Sequence, residues 1–118
     1  MDEKINKYLE DILVAIDEID VFFENSPRRY DIFVENVLIR RAIERNIEII
    51  GEAVNRILKI DHTITITNAR KIVDTRNYII HGYDSLTADI LWSIVMNHLP
   101  LLKNETLNLL NQKNSTLL

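Results

Sequence analysis

At 118 residues, with 47% hydrophobic and 27% charged side chains, the chain has the size and composition of one globular domain with its own core. It has no cysteine, which excludes disulfides, zinc–thiolate sites and thiol catalysis, and no apolar run approaches the roughly 20 residues that span a bilayer. The net charge of −4 and an N-terminus opening with Asp2 and Glu3, unlike a basic signal-peptide head, point to a cytoplasmic protein without a membrane partner.

Two Gly, two Pro and an abundance of Leu, Ile, Glu, Asn and Lys favour long helices over a turn-rich sheet protein. Residues 3–24 carry Ile5, Leu9, Ile12, Leu13, Ile16, Ile19 and Phe23 at helical spacing, and Asn25, Ser26 and Pro27 end this first helix. A second helix is expected from about Asp31 to Ile60, with one apolar stripe at Ile39, Ile43, Ile47, Ile50, Val54 and Ile57 and a second edge at Leu38, Ala42, Ile49 and Ala53. So wide an apolar surface predicts packing on two sides, one of them another subunit, and hence a homodimer. Gly51, mid-helix, suits a place where two backbones or a ligand approach closely.

The alternating His62–Thr67 segment reads as a strand locally, but nothing else in the chain could pair with it, so an extended connector is expected. Thr67 or Asn68 can cap a third helix that ends at Gly82, and Ser85 or Thr87 can cap a fourth. The last helix sets Leu91, Ile94, Val95, His98, Leu102 and Leu109 on one face, with Pro100 bending or interrupting it. No repeat or linker divides the chain. The prediction is an all-α, antiparallel, up-and-down bundle of four to five helices in a single domain over residues 1–110, with a frayed tail at 111–118.

The densest chemistry lies in Arg76-Asn77-Tyr78-Ile79-Ile80-His81-Gly82-Tyr83, which places a permanent cation, an imidazole and two phenols within eight residues. Arg76 falls near the centre of an apolar stripe formed by Ala69, Ile72, Val73, Ile79 and Ile80. A guanidinium cannot shed its proton there, so it must meet a carboxylate, a phosphate or trapped water. The surrounding charge is also segregated. Residues 1–27 carry two lysines against eight acids, whereas residues 28–83 carry ten basic side chains against seven acids. That field could present a positive cleft, although scattered solvated helix faces would give the same counts.

Arg76, His81 after four intervening residues, the polar Asn77 and Tyr83 two beyond the histidine together resemble the R-x4-H-x-Y signature of HepT-like HEPN proteins. Ile49-Ile50-Gly51-Glu52-Ala53 and Leu99-Pro100-Leu101-Leu102 are similar to the same family, so the likeness covers nearly the whole length. The resemblance implies the HEPN helical bundle and a metal-independent endoribonuclease without a cofactor, the toxin of a toxin–antitoxin pair. The antitoxin would be a minimal nucleotidyltransferase. It also implies a dimer in which the motifs of two subunits share a cleft, with Arg76 and His81 as cleavage residues, Asn77 supporting them, and Tyr83 as the hydroxyl that receives AMP.

The chemistry is coherent without the family. RNA is cut by its own 2′-hydroxyl when a base takes that proton and cations stabilise the phosphorane, and an imidazole and a guanidinium suit those tasks. A symmetric dimer could supply a second histidine as the acid, or one histidine could serve twice. An adenylyl group on Tyr83 would add bulk and negative charge where substrate phosphate should sit. Five helical steps place Arg76 and His81 about 140° apart, so only the turn at Gly82 or a second subunit could bring them together.

Structural readings stand beside these. His81, Gly82 and Tyr83 could form a helix C-cap in which Tyr83 packs on Tyr78, and Arg76 could pair with Glu48 or Glu52. His98 reads as a hydrogen-bonded core residue, His62 as solvated, and Asp17, Glu18 and Asp20 as a solvated face. No Glu-x-x-His pair exists, so a carboxylate-bridged metal site lacks ligands. Two other functions remain open: a non-catalytic nucleotide- or substrate-binding subunit of a two-component nucleotidyltransferase, and a plain dimeric scaffold.

Overall fold

The computed structural model describes residues 2–81 and 88–116, the side chains of 113–116 excepted. It is an all-α bundle, and no strand occurs among the described residues. Helix α1 spans Glu3–Phe22, α2 Tyr30–Glu35, α3 Val37–Ile60 and α4 Ala69–His81, and a last long helix comprises α5 (Ala88–Ser93), a π-helical turn (Ile94–His98) and α6 (Leu99–Thr116).

Helix α1 opens at Asp2, whose carboxylate accepts from the backbone N–H of Lys4 at 2.6 Å. Its Ile5, Leu9, Ile12, Ile16 and Ile19 are buried, as the spacing predicts. Ile43, Ile47, Ile50, Val54 and Ile57 of α3 meet them in one core, to which Ile72 of α4 and Leu91, Ile94, Val95, Leu99 and Leu102 of the last helix also contribute. Helix α3 packs extensively against both α1 and α4 and is the centre of the bundle, while α6 lies along α1.

The expected second helix from Asp31 to Ile60 is in fact two. Asn36 breaks it by adopting an extended backbone, φ −91° and ψ 91°, and its side-chain oxygen accepts from the N–H of Ile39 at 3.0 Å. An amide side chain able to satisfy an orphan N–H favours a new start over continuation. The short α2 is fixed instead by aromatic packing. The Trp92 ring of α5 lies 5.1 Å from Phe33, 6.0 Å from Tyr30 and 6.1 Å from Phe23 between centroids, and Tyr30 donates its hydroxyl hydrogen to Asp89.

The segment from His62 to Thr67 is a series of turns rather than an extended connector. Asp61 holds it by accepting from the N–H of Thr63 at 3.0 Å and from its hydroxyl at 2.5 Å. Thr67 does not cap α4 with its hydroxyl, which donates to Glu105 of α6 at 3.0 Å. Asn68 takes the cap position through its backbone, its carbonyl accepting from Ile72 N–H at 3.1 Å. Its φ of 60° is left-handed, a conformation asparagine tolerates. Ser85, Thr87 and the terminator Gly82 lie outside the described residues.

Pro100 has no N–H to offer a helix, and its ring would crowd the carbonyl of Met96. The chain absorbs this one turn earlier. Leu99 N–H donates to the carbonyl of Ile94, five residues back, so the proline falls in the first turn of α6, where its missing donor costs little.

Substituting Asn36→Ala removes the cap of α3 and should lower unfolding stability by about 1 kcal/mol. The neighbouring Leu38, 83% exposed, should tolerate Leu38→Ala within about 0.5 kcal/mol. Urea titration followed by circular dichroism checks both.

Candidate functional site

Helices α3 and α4 approach closely at Gly51. A Cβ built there would overlap the Cβ of Arg76, come within 2.9 Å of its Cγ and lie 3.3 Å from the Ile72 carbonyl oxygen. The missing side chain at 51 is therefore the space that the stem of Arg76 occupies, the close approach anticipated for this glycine. The predicted stripe on α4 is displaced by this contact. Thr75 is buried, its hydroxyl donating to the Lys71 carbonyl at 2.8 Å, whereas Ile80 is 48% exposed.

The stem leads Arg76 into a cleft of about 290 Å³ between α1, α3 and α4, lined by Tyr8, Asp11, Arg45, Glu48, Glu52 and Ile80 among others. Its guanidinium, with the side chain 22% exposed, is held on two sides. Nη2 donates to Glu52 Oε2, and Nη1 donates to Asn77 Oδ1 at 2.7 Å. Nε is buried with no hydrogen-bond partner. Of the two carboxylates named from the sequence, Glu52 is thus the one that takes Arg76. Glu48 instead pairs with Arg45 at 3.3 Å.

Glu52 serves two guanidiniums, since its Oε1 also accepts from Arg56 Nε at 2.7 Å. The hydrogen bond from Arg56, followed by the nearby positive charge of Arg76, holds the Glu52 carboxyl below its ordinary pKa against the opposing effect of partial burial. Arg56 was not singled out from the sequence, although Glu52 four residues before it on one helix face is a recognisable pairing signal. With three carboxylates and two guanidiniums in its lining, the cleft is not a positive funnel.

His81 is the last residue of α4 and is exposed. It does not contribute to the lining of the Arg76 cleft. Five residues separate the two along the helix, about 7.5 Å of rise and about 140° of rotation, so α4 offers them in different directions. The structure brings Arg76 and Asn77 together and turns His81 away from Arg76, while Asn77, four residues before His81, lies on the same side of α4 as the histidine. Tyr83 lies outside the described residues. His98 Nδ1 accepts from the side-chain amide N–H of Asn68 at 3.1 Å, and burial, then the charge of Lys71, keep its pKa below the ordinary value. Among the described residues no group of three or more His, Asp or Glu is placed to hold a metal ion, and no helix is long and apolar enough to cross a membrane.

The family model for HepT-like ribonucleases matches residues 12–109. The chain belongs to the HepT-like ribonuclease family. Its relatives include three proteins of Methanocaldococcus jannaschii. "Putative RNase MJ1380" is 33% identical over 86% of this chain and 92% of its own length. "Putative RNase MJ1216" is 31% identical over 86% and 83%, and "Putative RNase MJ0125" 30% identical over 86% of each. No solved structure matches the chain significantly. The HepT-like matched region contains α3, α4 and therefore the whole Arg76–Glu52–Arg56 array.

Because the Glu52 pKa is lower folded than unfolded, its contribution to stability is complete above the unfolded value and declines as pH falls through the folded one. Stability should therefore drop on acidification below about pH 5, and Glu52→Gln should flatten that decline while lowering stability at neutral pH. Urea midpoints measured from pH 7 to pH 3 test this.

Proposed function

We propose that the chain is a metal-independent endoribonuclease and the toxin component of a toxin–antitoxin pair, acting as a homodimer and silenced by a nucleotidyltransferase antitoxin. What supports the reading is membership of the HepT-like ribonuclease family together with an arginine poised at the wall of a cleft by Asn77 and Glu52. In this reading Arg76 binds the scissile phosphate, Asn77 supports it, and His81 moves the proton of the attacking 2′-hydroxyl.

A guanidinium has five N–H donors, and the two hydrogen bonds to Glu52 and Asn77 leave others for phosphate oxygens. Fixing the fork in advance lowers the cost of orienting it as charge develops on the phosphorane. The divergence of Arg76 and His81 on α4 favours a site assembled from two subunits, each giving one face. The exposed apolar side chains Leu38 and Ile80 offer surface for such an association. Tyr83 follows His81 closely, so adenylylation of its hydroxyl would bring negative charge to the place meant for substrate phosphate.

A second reading is favoured by one observation. A guanidinium already neutralised by a carboxylate is also what a structural arginine looks like, and this would suit a non-catalytic nucleotide- or substrate-binding subunit working with a nucleotidyltransferase.

Cleavage of mixed cellular RNA in EDTA separates the two. Wild-type protein should cut, and Arg76→Ala and His81→Ala should each lose about 100-fold or more, with circular dichroism and sizing showing that all three remain folded dimers. Absence of cutting by any folded preparation, or equal cutting by all three, would sink the catalytic reading. Incubation with the cognate nucleotidyltransferase and ATP should add one adenylyl mass to the peptide carrying Tyr83 and none to the Tyr83→Phe protein.

A further inference from the structure

On the side of α4 turned away from Arg76 lies a second concavity, an open groove of about 520 Å³ lined by Asn68, Arg70, Lys71, Asp74, Tyr78 and Ile90. His81 is not in its lining but lies beyond its Tyr78 end. Lys71 and Tyr78 are seven positions apart, almost two full turns, and His81 follows Tyr78 by three, so the three side chains fall within about 80° of one another in a loose row along one side of α4. Along the axis this row rises about 10 Å from Lys71 to Tyr78 and about 4.5 Å more to His81. Arg76, 200° from Tyr78 at 100° per residue, is outside it.

Among the described residues the charges of the groove are not fully neutralised. Asp74 lies 4.0 Å from Arg70, both well exposed, a loose pair that leaves the two charges offset. Lys71 has no carboxylate within ion-pair distance among the described residues. Its ammonium lies near enough to His98 to help lower the pKa of that imidazole. Tyr78 adds an exposed ring about two turns along α4 from the cation, and Ile90 adds an apolar wall.

Alternating cation and aromatic ring along an open groove is the pattern that matches alternating phosphate and base. We infer that this groove binds a single-stranded stretch of RNA, with Lys71 holding a phosphate and Tyr78 stacking on a base, and leads the strand to His81. The inference rests on the ribonuclease reading for the identity of the polymer, but the groove would act by binding and not by chemistry.

Its test reads binding directly, so that it does not depend on cleavage. A fluorescein-labelled single-stranded 2′-O-methyl RNA, which lacks the free hydroxyl for self-cleavage, is titrated with the full chain and followed by anisotropy at several salt concentrations. Tyr78→Ala should weaken binding by about 5- to 100-fold, while Tyr78→Phe, which keeps the stacking face, should bind like wild type. Lys71→Ala should weaken binding to all sequences alike and reduce the slope of log K against log salt by about 0.7, with Lys71→Arg restoring it.

Folded Lys71→Ala and Tyr78→Ala proteins that bind as tightly as wild type would overturn the inference, as would a wild-type chain that binds no RNA. Unchanged RNA binding with lost capture of the nucleotidyltransferase would assign the groove to a protein partner and overturn it too. The parallel EDTA cleavage assay keeps the two claims apart. A chain that cuts RNA but ignores the groove substitutions is a ribonuclease with a different strand path.

Discussion

The contact between α3 and α4 at Gly51 is the constraint on which the site depends. Two helices with side chains at their crossing commonly lie 8–10 Å apart, and the absence of a Cβ at 51 lets the Arg76 stem fill the gap. The same crossing puts Glu52, the next residue, within reach of the Arg76 guanidinium. A larger residue at 51 would part the helices and separate the ion pair at once, so packing and electrostatics here are one feature. Because α3 also packs along α1, the bundle core and the cleft share a single central helix.

A partly buried guanidinium is tolerable only if its donors are met, and Glu52 and Asn77 meet two of them. Removing the Glu52 carboxylate alone would strand the Arg76 guanidinium, which costs more than the pair contributes to stability. Glu52 is also shared with the more exposed Arg56, so a phosphate that drew Arg76 away would leave Glu52 with a partner. The array can therefore exchange ligands without ever exposing an unpaired carboxylate.

The bundle was legible because hydrophobic spacing is a local signal. Ile5, Leu9, Ile12, Ile16 and Ile19 repeat at helical intervals and are all buried, as are Ile43, Ile47, Ile50, Val54 and Ile57. Boundaries were harder where a side chain competes with the backbone, as Asn36 does in splitting the second helix. The role of Gly51 as a point of close approach and the pairing of Arg76 with Glu52 were both within the readings the sequence allowed. The choice between Glu48 and Glu52 was not, because it depends on how α4 is rotated against α3. Thr75 illustrates the same limit. Its burial and the exposure of Ile80 follow from that rotation and not from residue type. The groove beside Lys71 and Tyr78 was not anticipated from the sequence, because only the packing of α4 shows it.

An acidic chain that binds RNA must keep its negative charge away from the strand, and the fold supplies the separation. Half of the six acids of α1 are matched by cations of the protein. Asp11 pairs with Lys7, Asp20 with Arg28, and Lys103 of α6 lies 3.4 Å from Asp17 and 3.6 Å from Asp20. Between this helix and the outer row of α4 stand the Arg76 cleft and the body of α4 itself. A helix with its side chains is about 10–12 Å across, more than the roughly 8 Å over which charges are screened at physiological salt. The Lys71 side of α4 therefore presents its own local charge to a strand, and the net charge of −4 does not describe what the RNA would meet.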